Sequence, residues 1–170
     1  MKIAFGYKMG VGKDEACSYL QKKYGGHIIS FAQPLYSIQT YAQKICGFPI
    51  EKDRKLLQFI GTEWARKKDP DVWIRLALQN MPKNENIFLS DLRFPNELEY
   101  LKKEGWVCIK IKRSLQHNRK GTGSISHESE TLLDNILDSE WDFVLDNNKN
   151  LTEFHMNLTT LFETIYHDTT

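Results

Sequence analysis

The sequence is poor in several features that usually announce a function. Its 170 residues hold three cysteines, Cys17, Cys46 and Cys108, which are odd in number and far apart. That excludes a disulfide framework and a thiolate zinc site, and it points to reduced thiols in a cytoplasmic compartment. The five histidines show no metal-ligand spacing and read as single core or surface residues. Charge of one sign is missing too: 23 Lys and Arg stand against 22 Asp and Glu, a net of +1. Nothing in that balance suggests a nucleic-acid or membrane surface. No segment approaches the ~20 apolar residues of a membrane span, and the N-terminus has no signal-like apolar run. Repeats and linkers are lacking as well, so a single domain over residues 1–170 is expected.

What is present is a globular composition, 41% hydrophobic and 12% aromatic, rich enough to build a core. The stretches "KIAFG", "HIISFA", "NIFLSD", "WVCIKIK" and "DFVLDN" read as five strands, the fourth with clear alternation. Helical patterns separate them. The first runs from Asp14 to about Tyr24 and is ended by Gly25-Gly26. A helical half follows from Pro34 through "EKDRKLLQFIGTEWARKKDPDVWIRLALQNM", with Pro70 near a helix start. "RFPNELEYLKKEG" places Pro95 in a first turn, and "LTEFHMNLTTLFETIYH" is an amphipathic closing helix. Strands alternating with helices predict an α/β fold, a parallel sheet with helices on both faces. The one polar, loop-like stretch is "RSLQHNRKGTGSISHESE".

The segment Tyr7-Lys8-Met9-Gly10-Val11-Gly12-Lys13-Asp14 nearly matches the phosphate-binding loop G-x-x-x-x-G-K-[ST]. It departs at both ends, with Tyr7 in the first glycine slot and Asp14 after the lysine. Its position after the first strand and before the first helix is the placement that the loop requires. There the backbone amides of Lys8 to Lys13 converge on phosphate oxygens at a helix N-terminus, and the lysine ammonium reaches the β- and γ-phosphates. Gly10 and Gly12 supply the sharp turn. Asp14 is a hard oxygen ligand suited to Mg²⁺; its bland alternative is an acidic residue that favours the helix terminus.

Further segments occur in order: "SFAQPL", "LQFIGTEWARKKDPDVWI", "LSDLRFPNE", "SHESE" and "WDFVLDNN". With the Lys-Asp loop they resemble the viral and bacteriophage deoxynucleoside monophosphate kinases, a P-loop family related to the animal phosphomevalonate kinases. The resemblance covers nearly the whole chain. It implies a P-loop NTPase fold with a five-stranded parallel sheet, a helical monophosphate-binding region over 33–82 and a short lid over 113–130. It implies ATP and Mg²⁺ as cofactors and transfer of the γ-phosphoryl to a deoxynucleoside monophosphate, in host cytoplasm if the source is viral. Assembly as a homodimer stays open. Glu15, where the family usually carries Thr, is a second departure.

The same resemblance distributes the site. Lys8, Met9, Gly10, Val11, Gly12, Lys13 and Asp14 would hold ATP, joined by Arg119 from the lid and by Asn147, with Asn148, near the adenine. Ser30, Phe31, Ala32, Arg66, Trp73, Arg93 and Glu130 would meet the acceptor. Lys13, Arg93, Arg113 and Asp91 would be catalytic, with Asp14 and Asp91 at the metal. Each has a duller alternative: Arg66 in a solvated helix face, Asp91 as a helix cap, Trp64, Trp73 and Phe31 in a core. Arg113, Arg119 and Lys120 could belong to a plain surface loop, and His127, Ser129 and Glu130 to a helix start. Asn147-Asn148 also makes an ordinary turn. Two rival functions share this loop: a kinase for phosphomevalonate or another small phosphate, and an NTP-binding switch without transfer.

Overall fold

Short apolar runs bounded by glycine and polar residues become strands here, and the longer periodic stretches between them become helices. The structure is a computed structural model that describes residues 1–79, 81–114 and 131–168. In chain order the elements are β1 (Lys2–Gly6), α1 (Lys13–Tyr24), β2 (His27–Ile29), α2 (Gln33–Cys46), α3 (Arg54–Gln58) and α4 (Val72–Leu78). There follow β3 (Ile87–Leu92), α5 (Pro95–Lys103), β4 (Val107–Lys112), β5 (Phe143–Asp146) and α6 (Leu151–Asp168). The chain divides into two compact units, one of Met1–Ile28 with Pro82–Thr170 and the other of Ile29–Met81.

The first unit is organised by a five-stranded sheet in the order β2-β3-β1-β4-β5. Strand β1 runs parallel to both β3 and β4, and β4 parallel to β5. From the adjacent strands β1 and β3 the chain crosses in opposite directions, to β2 and to β4, which makes their carboxyl ends the switch point where ligands of open α/β sheets bind. Ile3, Phe5, Phe88, Ile109 and Ile111 of the strands pack with Ala16, Cys17 and Leu20 of α1 and with Phe154, Leu158, Phe162 and Ile165 of α6. That burial is the main stabilising term. Helices α1 and α6 are also clamped by a stacked Tyr19–His155 pair, a stacked Tyr24–Phe162 pair and a 2.8 Å bond between Tyr19 Oη and Thr159 Oγ1. Glu15, a departure from the family, joins this seam by pairing with His155 Nε2 at 2.7 Å.

A strand is expected at "WVCIKIK", and β4 forms there with Cys108, Ile109, Lys110 and Ile111 all buried. Lys110 is tolerated inside because its ammonium finds Asp138 at 3.1 Å and the Ile136 carbonyl at 3.3 Å. The helix start offered as the duller reading of "ESETLLDN" falls on residues outside the described ones; within them Leu132–Asn135 forms a 3-10 turn.

In the second unit the strand expected through "HIISFA" stops at Ile29. Ser30 Oγ accepts from the Ala32 amide at 3.1 Å, a local turn that competes with the ladder and leads into α2. The long helical stretch is broken into pieces. Asp53 caps α3 by accepting from the Leu56 amide at 3.0 Å. The chain then widens into a π-helical segment, Phe59–Arg66, an uncommon geometry that recurs at functional sites. Within it the Gly61 carbonyl is taken by the Trp73 indole N–H at 2.9 Å. Asp69-Pro70-Asp71 interrupts the helix, and α4 begins only at Val72. Gln39 and Gln43, both buried, tie α2 to the Glu51–Asp53 turn through the Glu51 carbonyl and the Asp53 amide.

Candidate active site

Parallel pairing brings the carboxyl ends of four strands to one edge. Gly6 ends β1 and pairs in register with Leu92 of β3, and Lys112 of β4 pairs with Asp146 of β5. Beyond those ends lie the glycine loop after β1, Asp91 and Arg93 around the end of β3, Arg113 after β4 and Asn147 after β5. Residues distant in sequence thus meet on one rim.

Gly6 belongs to the strand, and an added Cβ there would come within 2.4 Å of the Trp141 ring. The turn itself starts at Tyr7, which takes φ 99°, and continues through Gly10 at 80° and Gly12 at 110°. The Tyr7 amide bonds back to the Leu92 carbonyl at 3.3 Å. Helix α1 begins with Gly12 as its N-cap and no side chain capping it. Its first-turn amides therefore face the loop, the standard provision for an anion. Lys13 is buried, with 6% exposure. Its ammonium bonds to the Tyr7 carbonyl at 2.9 Å and to the Lys8 carbonyl, lying across the loop.

The loop is braced from outside. Asn147, itself buried, donates from Nδ2 to the Val11 carbonyl at 2.8 Å, and its own amide bonds to the Lys112 carbonyl at 2.8 Å. Asn148 Oδ1 accepts from the Ser114 amide at 2.7 Å. Next to them a cleft of about 330 Å³ is lined by Asp146, Asn148, Lys149, Asn150, Glu153 and Asn157, among others.

Asp14, Asp91 and Lys13 all act on the Cys17 thiol below the loop. Burial pushes that thiol well above its ordinary range, the charges of Asp14 and Asp91 push it further, and Lys13 opposes them. The charges of Asp14, Asp91 and Lys13 thus all reach this one thiol. The capping role open to Asp91 is filled by another residue: buried Glu97 accepts from the Arg93 and Phe94 amides at 2.8 and 2.9 Å. Among the described residues no group of three or more His, Cys, Asp or Glu is arranged for a metal ion.

The residues read toward the acceptor fall in both units. In the helical unit Arg66 Nη1 bonds to the Pro70 carbonyl at 3.1 Å. Trp73 and Phe31 are buried at 3% exposure, whereas Trp64 is 48% exposed with Lys68 Nζ 4.8 Å above its ring. Ser30 and Ala32 form the turn into α2. In the sheet unit Arg113 is partly buried, its Nε enclosed and, among the described residues, lacking a hydrogen bond. Lys120, Arg119, His127, Ser129 and Glu130 lie outside the described residues.

Three participants have no forewarning in the sequence reading. Glu97 fixes the backbone beside Arg93; its signal was a glutamate three residues after a helix entry that lacks the usual Ser or Thr. Lys110 and Asp134 flank the loop from β4 and from the turn Leu132–Asn135. Asp134 pairs with Lys8 at 3.0 Å, and Lys110 Nζ sits 4.6 Å from the Tyr7 ring centroid.

A glycine turn with a buried lysine, leading into an uncapped helix at the carboxyl edge of a β2-β3-β1-β4-β5 parallel sheet, defines a P-loop kinase fold. The solved structures agree at the level of fold. A dephospho-CoA kinase from Campylobacter jejuni superposes with a TM-score of 0.57 at 16% identity, covering 100% of both chains. A shikimate kinase from Acinetobacter baumannii gives 0.56 at 12% identity, covering 98% of this chain and 93% of its own. No family model matches the sequence. Among curated proteins, a putative deoxynucleotide monophosphate kinase of Acanthamoeba polyphaga mimivirus is 30% identical over 178 residues, 86% of this chain and 88% of that protein. The uncharacterized protein ORF77 of Ictalurid herpesvirus 1 is 38% identical over 146 residues. This chain spans 60% of the length of that herpesvirus protein. The chain belongs to the viral-type deoxynucleoside monophosphate kinase family.

Proposed function

We propose that the chain transfers the γ-phosphoryl group of ATP to the phosphate of a deoxynucleoside monophosphate, giving ADP and the diphosphate. The observation that carries the reading is Lys13 lying across the glycine loop at the start of a helix that no side chain caps, in a chain of this family. In the transfer an acceptor phosphate oxygen attacks the γ-phosphorus, the bond from that phosphorus to the β–γ bridging oxygen breaks, and ADP leaves. Such chemistry asks for alignment and charge neutralisation rather than covalent help. On this reading the amides of Lys8 to Lys13 hold the β- and γ-phosphates, and the Lys13 ammonium moves from its carbonyl partners onto phosphate oxygens. Arg93 and Arg113, beyond β3 and β4, neutralise charge at the transferring group.

Mg²⁺ fits the residues present. It commonly takes one or two carboxylates, with phosphate oxygens and water completing its octahedron, so a three-residue protein cage is not needed. Asp14 and Asp91 would hold it, and when bound it would screen the charge between donor and acceptor. Arg66, with the exposed face of the π-helical segment, is the reading for the acceptor phosphate and base, and the cleft beside Asn148 for the adenine. The test is ADP formation from ATP with each dNMP, each NMP and phosphomevalonate in turn. ADP release that requires a dNMP supports the proposal. Release that requires phosphomevalonate, or that ignores every acceptor, refutes it.

A further inference from the structure

Tyr7 combines a bulky side chain with a backbone conformation that glycine adopts freely and other L-residues avoid, φ 99°. Such a residue persists only where its surroundings over-determine it. Here they do. Its ring lies near two ammonium groups, Lys110 Nζ at 4.6 Å and Lys8 Nζ at 5.3 Å from the centroid. Burial, then the Asp134 carboxylate, holds its hydroxyl above the ordinary phenol range, and that carboxylate pairs with Lys8 Nζ at 3.0 Å. Lys110 is buried and held in turn by Asp138 and the Ile136 carbonyl. The backbone carbonyls of Tyr7 and Lys8 are the two that hold the Lys13 ammonium. Asp134 therefore grips Lys8, whose ammonium lies by the Tyr7 ring, and these are the two residues on whose main chain Lys13 rests.

We propose that Asp134 is a positioning residue of the phosphate loop, holding Tyr7 and Lys8 so that the loop keeps a glycine-type turn without a glycine. The inference rests on the loop's being the ATP site. Glycine needs no such grip, so the dependence on Asp134 should vanish once Tyr7 is replaced by glycine. This separates positioning from plain electrostatics. Asp134 also repels bound phosphates directly, but that effect is present whichever residue occupies position 7 and cancels in a double-mutant cycle.

The experiment measures dissociation constants for Mg-ATP and for ATP alone, by calorimetry, in wild type, Asp134→Ala, Tyr7→Gly and the double variant, with melting curves for each. Asp134→Ala is expected to weaken binding about tenfold in the Tyr7 background and less than about twofold in the Tyr7→Gly background. The same fold-change in both backgrounds, or none in the first, overturns the proposal. If Asp134→Ala does not fold, Asp134→Asn takes its place: loss of the charge that pairs with Lys8 should weaken binding about three- to tenfold, and wild-type affinity there overturns the proposal equally. A wild-type protein that binds no ATP would instead sink the assignment of the loop, which is a different failure.

Discussion

Gly12→Ala is the sharpest single perturbation of the cradle, because the structure gives both parts of its cost. At φ 110° an L-residue is strained, at roughly 1–3 kcal/mol. The added methyl would also lie 2.6 Å from Asn147 Nδ2, inside any real contact distance. Phe154 stands 3.4 Å away on the other side, so the amide must move. Moving it breaks the bond to the Val11 carbonyl, and leaving a buried acceptor unmet costs about 1–3 kcal/mol. The total is about 2–6 kcal/mol, a large part of the roughly 5–15 kcal/mol that holds a domain together. For a chain of this size that corresponds to a melting point lower by roughly 5–20 °C.

The two parts can be separated. In an Asn147→Ala background the obstructing amide is gone, so Gly12→Ala should cost only the backbone term. Thermal melts and urea titrations of the four proteins in the cycle measure this, and ATP binding should fall with stability because the same atoms build the cradle. A Gly12→Ala protein melting within a degree of wild type, or a cost unchanged by Asn147→Ala, would refute the reasoning.

Lys13→Ala should lower kcat about a hundredfold or more in a folded protein, the scale for removing a preorganised charge partner of the transition state; near-normal turnover rejects the loop as donor site. Arg66→Ala and Arg93→Ala should each raise KM for the acceptor about ten- to a hundredfold while leaving KM for ATP nearly unchanged, and steady-state kinetics showing the opposite split would reverse the assignment. Alkylation of the native protein should label Cys46, which is exposed, before Cys17 and Cys108, which are buried; mass spectrometry of the first adduct decides. Burial, then the Asp142 charge, pushes Cys108 up to about 12, and Cys17 moves in the same direction. Unfolded thiols ionise near about 8.5, so above that pH the unfolded chain binds fewer protons than the folded one. Stability should then fall as pH rises, by up to about 1.4 kcal/mol per unit for each thiol, until the folded thiols ionise. Urea melts that stay flat from pH 8 to 10 would contradict this.

The strands and the loop were legible because they rest on local signals: apolar runs, paired glycines, and a lysine placed between a strand and a helix. What the sequence hid depends on partners far along the chain. The burial of Lys110 could not be foreseen, since nothing nearby in sequence shows Asp138 waiting for it. The break of the helical half at Asp69–Asp71 was marked by Pro70, but the widening over Phe59–Arg66 involves Trp73, whose indole takes the Gly61 carbonyl. Asn147 could be read only as a turn or an adenine neighbour; its bond to Val11 joins residues separated by 136 positions. Glu15 appeared as a lost hydroxyl, whereas its partner, His155, lies on the closing helix.

These long-range ties share a direction. The Leu92 carbonyl holds the Tyr7 amide, Asn147 holds the Val11 carbonyl, and Asp134 holds the Lys8 side chain, while Glu15–His155 and the Tyr19 stack fix the helix that follows. Each tie comes from a different element, and all of them lie in the sheet unit. A cradle fixed at so many points has little freedom left to lose when phosphate arrives, which is how preorganisation turns binding energy into affinity. Arg66 is outside this set: it belongs to the helical unit, where its guanidinium bonds to the Pro70 carbonyl. The donor half of the proposed reaction is thus built within one unit. Changes at Arg66 should leave ATP binding intact, whereas changes at Asn147 or Gly12 should damage it first.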